Sequence, residues 1–448
     1  MMSRSIFLCF IALLVFAVPT MAQDTAVAEP ANLELPETDD GLAGDGPIRR
    51  YGWFKNLWKK RRATFAADAK DKKGAVVFLG DSITQGWSDD FHGDFGDLVV
   101  ANRGISGDTT RGMLIRLKQD VISLEPSAVV MLMGTNDLEE KAEPETIAGN
   151  VELIIAALKK HNPGMPIVLC NVFPSSEKKK RPADKIKKIN ELYAAKVKGD
   201  SQITVVDTWS LFADEKGDAK KAEFPDLLHP NKKGYAKWKA AIVPVMETLG
   251  IKKTEPDDFK LEPGYESLFN GKDLTGWGFH ATSEKQKKAI SRRKNASMWP
   301  IIEKDIAFDG KAVSTNGRYL AKNGRLIVTT PPEGRKFQQM YTTKEFSGDF
   351  KLILEFRATP NADSGVFVLG PQLQCRDYAI AGPYKDLKKY KPQDWNELVV
   401  EAKDGVGYCT CNGEVIEKEF KIPDSGPIGL EGDRGQIEYR RIRIKMAK

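Results

Sequence analysis

At 448 residues the chain exceeds the roughly 100 to 200 residues of one domain, so two domains with flanking tails are expected. An apolar share of 41% with 29% charged residues excludes a wholly disordered or fibrous chain. The formal net charge of +6 is small for this length and leaves no electrostatic footprint for nucleic acid, which narrows the field to enzymes and binding modules.

The first residues read as a secretory signal: Arg4 supplies positive charge, 6–18 form an apolar core, and Pro19-Thr20-Met21-Ala22 ends in a small residue ahead of Gln23. That run is shorter than the roughly 20 residues a spanning helix needs, so 1–22 are expected to be cleaved. A secreted or periplasmic protein without a stable membrane span follows. Seven acidic side chains between 23 and 48, with Pro and Gly among them, predict a disordered acidic linker over 23–50. Next, Trp53, Phe54, Leu57, Trp58 and Phe65 recur at helical spacing beside Lys59, Lys60, Arg61 and Arg62. This predicts a first helix packing its aromatics on a sheet, with a basic helix lying on a membrane surface as the alternative.

Apolar runs at 75–79, 98–102, 128–133, 167–172 and 203–207 then alternate with helical patterns at 110–122, 144–161, 183–198 and 231–249. Such alternation implies a parallel sheet with helices on both faces, and ligands of these sheets bind at the carboxyl ends of the strands. After 253 the character changes, and Asp404-Gly405 and Asn412-Gly413 separate apolar runs at 398–403, 407–411 and 414–420 as two hairpins. Further strands are expected at 325–330, 350–357 and 437–444, giving an independently folding all-β domain over 263–448. Cys170 reads as a small core residue, while Cys409 or Cys411 is placed to bridge to Cys375 in an oxidising compartment.

Unusual residues follow the strand ends: Gly80-Asp81-Ser82, Asn102-Arg103-Gly104, Gly134-Thr135-Asn136-Asp137 and, before the last helix of this part, Asp226-Leu227-Leu228-His229-Pro230. Acyl transfer needs a nucleophile, a base, an orienting acid and donors for the developing oxyanion. Of four histidines, His92 lies in a Gly/Asp loop, His161 at a helix end and His280 in the second domain. His229 has a carboxylate three residues earlier, Asp226, within a loop that could return it to the ring.

These blocks resemble, in order, those of the SGNH (GDSL-like) hydrolases, and Asn231-x-x-Gly234-Tyr235 is similar to the platelet-activating-factor acetylhydrolase-like branch. The resemblance implies a flavodoxin-like three-layer α/β/α domain over 51–252. It casts Ser82 as nucleophile, His229 as base and then acid, and Asp226 as the group holding the imidazole. The Ser82 and Gly104 N–H groups with the Asn136 amide would form the oxyanion hole, Asp81 and Asp137 would orient turns, and neither cofactor nor metal is required. No apolar lid lies between the blocks, which favours short acyl groups, and the basic run 178–181 reads as a solvated loop or a contact for an acidic substrate.

From about Tyr265 onward Leu268-Phe269-Asn270-Gly271, Asp363-Ser364-Gly365, Trp395-Asn396 and Gly426-Pro427-Ile428-Gly429 resemble the 3-keto-disaccharide hydrolase family, with a concanavalin-like jelly roll. Glu355, Glu401 and Glu431 are this domain's candidate carboxylates, each expected to face solvent from a strand. The expectation is a secreted esterase removing acetyl or another short acyl group from a glycan, with a C-terminal glycan-binding domain. Three alternatives stay open: a lipid or lysophospholipid esterase, a fusion of two enzymes, and a non-catalytic glycan-binding surface protein.

Overall fold

Five parallel strands carry the first domain: β1 (Val76–Gly80), β2 (Val100–Gly104), β3 (Ala128–Leu132), β4 (Ile167–Cys170) and β5 (Ile203–Val206). Their order is β2-β1-β3-β4-β5, that of flavodoxin-like doubly wound sheets, with the topological switch between β1 and β3. The computed structural model describes residues 32–198, 200, 202–253, 257–329 and 336–447. The signal expected at 1–22 lies outside them.

Strands β1 to β4 are buried at every residue because both faces are covered. Val77, Leu79, Val129 and Met131 point into one core with residues of α3 (Thr110–Asp120), α5 (Pro144–His161) and α6 (Ala183–Lys196). Val76, Phe78, Val130 and Leu132 point the other way, against Trp87, Phe91 and the Trp238, Ile242 and Val245 face of α8 (Lys232–Thr248). Short helices α2 (Ser82–Gln85), α4 (Thr135–Glu139) and α7 (Thr208–Phe212) start at strand ends. Too short to show an apolar period, they escape pattern reading.

Helix α1 (Gly52–Asp68) buries Phe54, Trp58 and Phe65. Its basic residues anchor it: Arg61 pairs with Asp89 at 2.8 Å and Arg62 with Asp120 at 3.0 Å. No helix among the described residues is long and apolar enough to cross a membrane. The disordered linker expected over 23–50 is corrected in its described part. Residues 33–50 form neither helix nor strand, yet Leu35 and Ile48 are buried beside α1. Asp39 pairs with Arg50 and Arg111 at 2.5 and 2.6 Å, so acids that composition treats as solvated meet arginines instead.

The second domain faces two antiparallel sheets across one core, a jelly-roll-like sandwich. One sheet runs, in spatial order, Glu414–Lys421, Val406–Cys411, Asn396–Lys403, Phe350–Ala358, Ile437–Met446, Arg325–Val328 and Tyr319–Lys322, with Glu266–Ser267 beside Ile437–Met446. The other runs Gln372–Arg376, Asp363–Val368, Ser425–Gly432, Gln338–Ser347, Trp277–Phe279 and Ile306–Ala307. Both expected hairpins form, with φ of 51° and 75° at Asp404-Gly405 and 49° and 77° at Asn412-Gly413. The expected cysteine bridge does not form: Cys375, Cys409 and Cys411 are free thiols packed as apolar residues in the sandwich core.

The domains meet at the C-terminal end of α8. Arg357, on Phe350–Ala358, donates to Pro244 O at 3.0 Å and to Thr248 Oγ1 at 3.2 Å, and pairs with Glu247 and with Glu438 at 2.7 Å. Thr248 Oγ1 donates in turn to Glu438 at 2.7 Å.

Candidate active site

The carboxyl edge of β1 and β3 brings the distant motifs together. Ser82 opens α2, where Asp81 caps the helix by accepting from the Ile83 N–H at 2.9 Å. Ser82 Oγ lies 3.0 Å from His229 Nε2, and His229 Nδ1 lies 2.8 Å from Asp226 Oδ2. The other oxygen, Asp226 Oδ1, accepts from the backbone N–H groups of Leu228 and His229 at 3.0 and 2.7 Å. Partial burial pushes the Asp226 carboxyl up, but these hydrogen bonds outweigh it and hold it down at about 2. It is therefore an anion at every working pH, fixing the imidazole with Nδ1 protonated and Nε2 free to accept from Ser82.

The local chain explains this geometry. Leu227 sits at φ 64° and its carbonyl accepts from Ser175 Oγ at 2.7 Å, which reverses the chain between Asp226 and His229. Asn231 then caps α8 by accepting from the N–H groups of Lys233 and Gly234, and Tyr235 OH donates to Ile83 O at 2.8 Å. The helix after the histidine is thus tied to the helix that starts with the serine.

The expected oxyanion donors divide. The Ser82 N–H, first of its helix, finds no acceptor among the described residues. Asn136 is 3% exposed; its Nδ2 donates to Asp108 O at 3.0 Å and keeps a second hydrogen. The Gly104 N–H, however, donates to Asn102 Oδ1 at 2.9 Å, so it is engaged within its own strand end. What glycine supplies there is space: a Cβ on Gly104 would stand 2.3 Å from Gln85 N and 2.8 Å from Asp81 O.

Asp81 and Asp137 have the structural parts expected of them. Asp137 accepts from the Thr110 N–H and hydroxyl, and burial pushes both carboxyls up to about 6. Arg181 is the residue that sequence reading missed. Grouped there with Lys178–Lys180 as a basic loop, it is 2% exposed and donates to Asn136 Oδ1, to Thr135 O and to Glu139, at 3.0, 3.0 and 2.9 Å. It sets which way the Asn136 amide faces. Lys179 instead lies 3.7 Å from Asp226.

In the second domain Glu355 pairs with Arg440 and Arg441 at 2.7 and 2.8 Å, and Glu401 with Lys351 at 2.7 Å. Glu431 departs from the expected solvent-facing carboxylate. It is 6% exposed and lines a cavity of about 560 Å³ with His280, Trp299, Tyr341 and Arg376.

Residues 78–237 match the model of the GDSL-like lipase/acylhydrolase family, and 264–445 match that of the 3-keto-alpha-glucoside-1,2-lyase-like domain. The chain is 32% identical over 206 residues to the platelet-activating factor acetylhydrolase IB subunit alpha2 of Homo sapiens, covering 45% of this chain and 85% of that protein. It is 30% identical over 210 residues to the alpha1 subunit of Pongo abelii, covering 46% and 85%. A GDSL-like lipase from Bacteroides thetaiotaomicron superposes with a TM-score of 0.37 at 28% identity, covering 42% of this chain and 96% of that one. The chain belongs to the GDSL-like lipase/acylhydrolase family, the serine hydrolases of ester bonds, and joins to that domain a second one of the 3-keto-alpha-glucoside-1,2-lyase-like kind.

Proposed function

We propose that the chain is an exported esterase that removes short acyl groups, acetyl foremost, from a carbohydrate. Ser82 attacks the ester carbonyl while His229 takes its proton, and Asp226 steadies the imidazolium that forms. The Ser82 N–H and the Asn136 amide receive the oxyanion, His229 then protonates the departing alcohol, and water repeats the sequence on the acyl-enzyme. The observation that carries this reading is the relay of 3.0 and 2.8 Å from Ser82 through His229 to Asp226. Support for a short acyl group comes from relatives whose printed names describe an acetylhydrolase and from the absence of an apolar lid in the sequence between the motif blocks. Support for a sugar comes from the second domain's family model, and for export from Arg4 and the apolar run 6–18.

A fluorophosphonate probe should label the wild type and not Ser82→Ala. Rates on p-nitrophenyl acetate should exceed those on longer acyl esters; a preference for long chains would favour the lipid esterase instead.

The Glu431 cavity favours a second reading alongside this one, in which the β domain acts on a carbohydrate as well as holding it. A tethered binding module raises the local substrate concentration at Ser82. A buried carboxyl in a cavity adds the means for chemistry of its own.

A further inference from the structure

Two aromatics at the start of α1 stay out of the core that the helix helps to build. Phe54, Trp58 and Phe65 are buried, whereas Trp53 is 53% exposed and Tyr51, the residue that leads into the helix, is 52% exposed. Their ring centroids lie 6.4 Å apart and their planes are within 11° of parallel. Single exposed apolar side chains are ordinary; two aligned rings braced by fixed partners are not. The Trp53 ring meets buried Phe54 at a near right angle, with centroids 5.6 Å apart. It also lies against Gly107, where a Cβ would stand 2.6 Å from the indole. With φ at 86°, Gly107 serves both its turn and this close approach. Tyr51 OH donates to Glu140 Oε2 at 3.2 Å, and buried Arg49 holds Glu140 in turn at 2.7 Å.

The segments that brace the two rings are those that position Asn136 and Ser82. Gly107 precedes Asp108, whose carbonyl accepts the Asn136 amide at 3.0 Å. Ser106, on the other side of Gly107, donates from N and Oγ to Gln85 Oε1 at 2.6 and 2.9 Å, and Gln85 closes the helix that Ser82 opens. The Glu140 N–H donates to Asn136 O at 3.1 Å. An ester bound with its carbonyl oxygen at the Ser82 N–H and the Asn136 amide has the aromatic pair on that same side.

The charges around the rings decide what they suit. A helix lying on a membrane surface turns its apolar face outward and keeps its basic face free for anionic lipid. The apolar face of α1 is inside the fold. Of its five basic side chains, Lys55, Lys59, Arg61 and Arg62 pair with Glu37, Glu34, Asp89 and Asp120. What α1 presents outward is two rings among neutralised charges. A pyranose fits such a surface, because the C–H bonds on one face of the sugar lie against the aromatic rings while its hydroxyls stay at the rim.

Resting on the esterase reading above, we propose that Tyr51 and Trp53 form the subsite for the sugar ring that bears the acyl group, and so make the ester site selective for acylated pyranosides over simple alkyl esters. The rings hold the alcohol part of the substrate, which departs when His229 protonates it. They grip the sugar alike before and during attack, so they act on binding and not on the chemical step.

The test compares acetate release by the full chain from glucose pentaacetate, which carries an acetyl group at every position of one pyranose, and from ethyl acetate, which has no ring. Trp53→Ala should lower the ratio of the two kcat/KM values roughly tenfold, through KM for the sugar ester, and Trp53→Phe should recover part of it. Tyr51→Ala, outside the helix, reads the same subsite independently and should lower the ratio about threefold; thermal unfolding checks that each variant folds. An unchanged ratio overturns the proposal while leaving the carbohydrate reading intact. Both rates falling together would make Trp53 a brace for the loop that holds Asn136, and neither falling would leave the rings without a part in the reaction. A wild type that hydrolyses ethyl acetate but not glucose pentaacetate removes the carbohydrate reading, and the subsite with it. The protein should stay in solution when phosphatidylglycerol vesicles are sedimented; co-sedimentation that Trp53→Ala abolishes would make the pair a membrane contact and overturn the proposal.

Discussion

Asp226 and Glu431 are carboxyls of the two domains, and their surroundings drive them in opposite directions. Asp226 is 43% exposed and collects hydrogen bonds from two backbone N–H groups and an imidazole, so it stays an anion at about 2. Glu431 is buried, with one amide and two neighbouring aspartates, and sits at about 7. The first can only orient a histidine, whereas the second can itself hold and release a proton. The proposed mechanism needs the former arrangement, because in it the moving proton travels on His229 and the acid behind it must never accept it.

The largest effect that would break this comparison is at the nucleophile. Ser82→Ala should lower ester hydrolysis by about 10⁴-fold or more with unchanged thermal unfolding; residual turnover of a few per cent would place the ester chemistry elsewhere in the chain. Next, Asn136→Ala should reduce kcat by roughly 10² to 10³ while KM holds, the mark of a donor that acts on the transition state. An effect confined to KM would remove Asn136 from the oxyanion site. Arg181→Ala should cost up to about 10²-fold in kcat by letting the Asn136 amide turn, and added guanidinium should restore part of it. A loss of stability without that kinetic rescue would make Arg181 a packing residue alone.

The smallest effect is on stability, and there the two carboxyls differ in sign. A folded carboxyl raised from 4.5 to about 7 keeps a proton that the unfolded chain releases. The stability Glu431 contributes is therefore full below about 4.5 and lost as pH rises through about 7. Glu431→Gln should raise Tm at pH 8 and change it little at pH 4. The Asp226 contribution runs the other way, present above the ordinary aspartate range and lost only as pH falls toward 2. Equal Tm shifts for Glu431→Gln at both pH values would contradict the buried carboxyl.

The α/β domain was legible because each strand is a continuous apolar run and each long helix has its period. The four-block motif named Ser82, Asn136, Asp226 and His229, and the fold brings them together: Ser82 and Asn136 follow strand ends, and the loop ahead of α8 carries Asp226 and His229 to the same edge. Gly104 was legible as a required glycine but not as an engaged N–H, since its partner is a side chain two residues back. Arg181 was hidden in a basic run that, in sequence, looks like solvated loop. The second domain was legible where Asn-Gly and Asp-Gly turns mark hairpins. Strands such as Gln338–Ser347 were not, because Gln, Thr and Lys alternate there with few apolar residues. The Glu431 cavity draws on residues from His280 to Asp433, and no local pattern announces such a convergence.

Arg357 carries a consequence for how this tandem could arise or be taken apart. Its guanidinium, 3% exposed, satisfies the last turn of α8 and an acid of the sandwich at once, and α8 begins three residues after His229. Separating the domains would strip Glu247 and Thr248 of the Arg357 guanidinium, a loss on the order of 3 to 5 kcal/mol for a broken buried pair. The two parts are therefore not beads that recombination can restring freely. They should melt as one cooperative body with a single heat-absorption peak, and any exchange of the sandwich for another would have to bring its own arginine to the end of that helix.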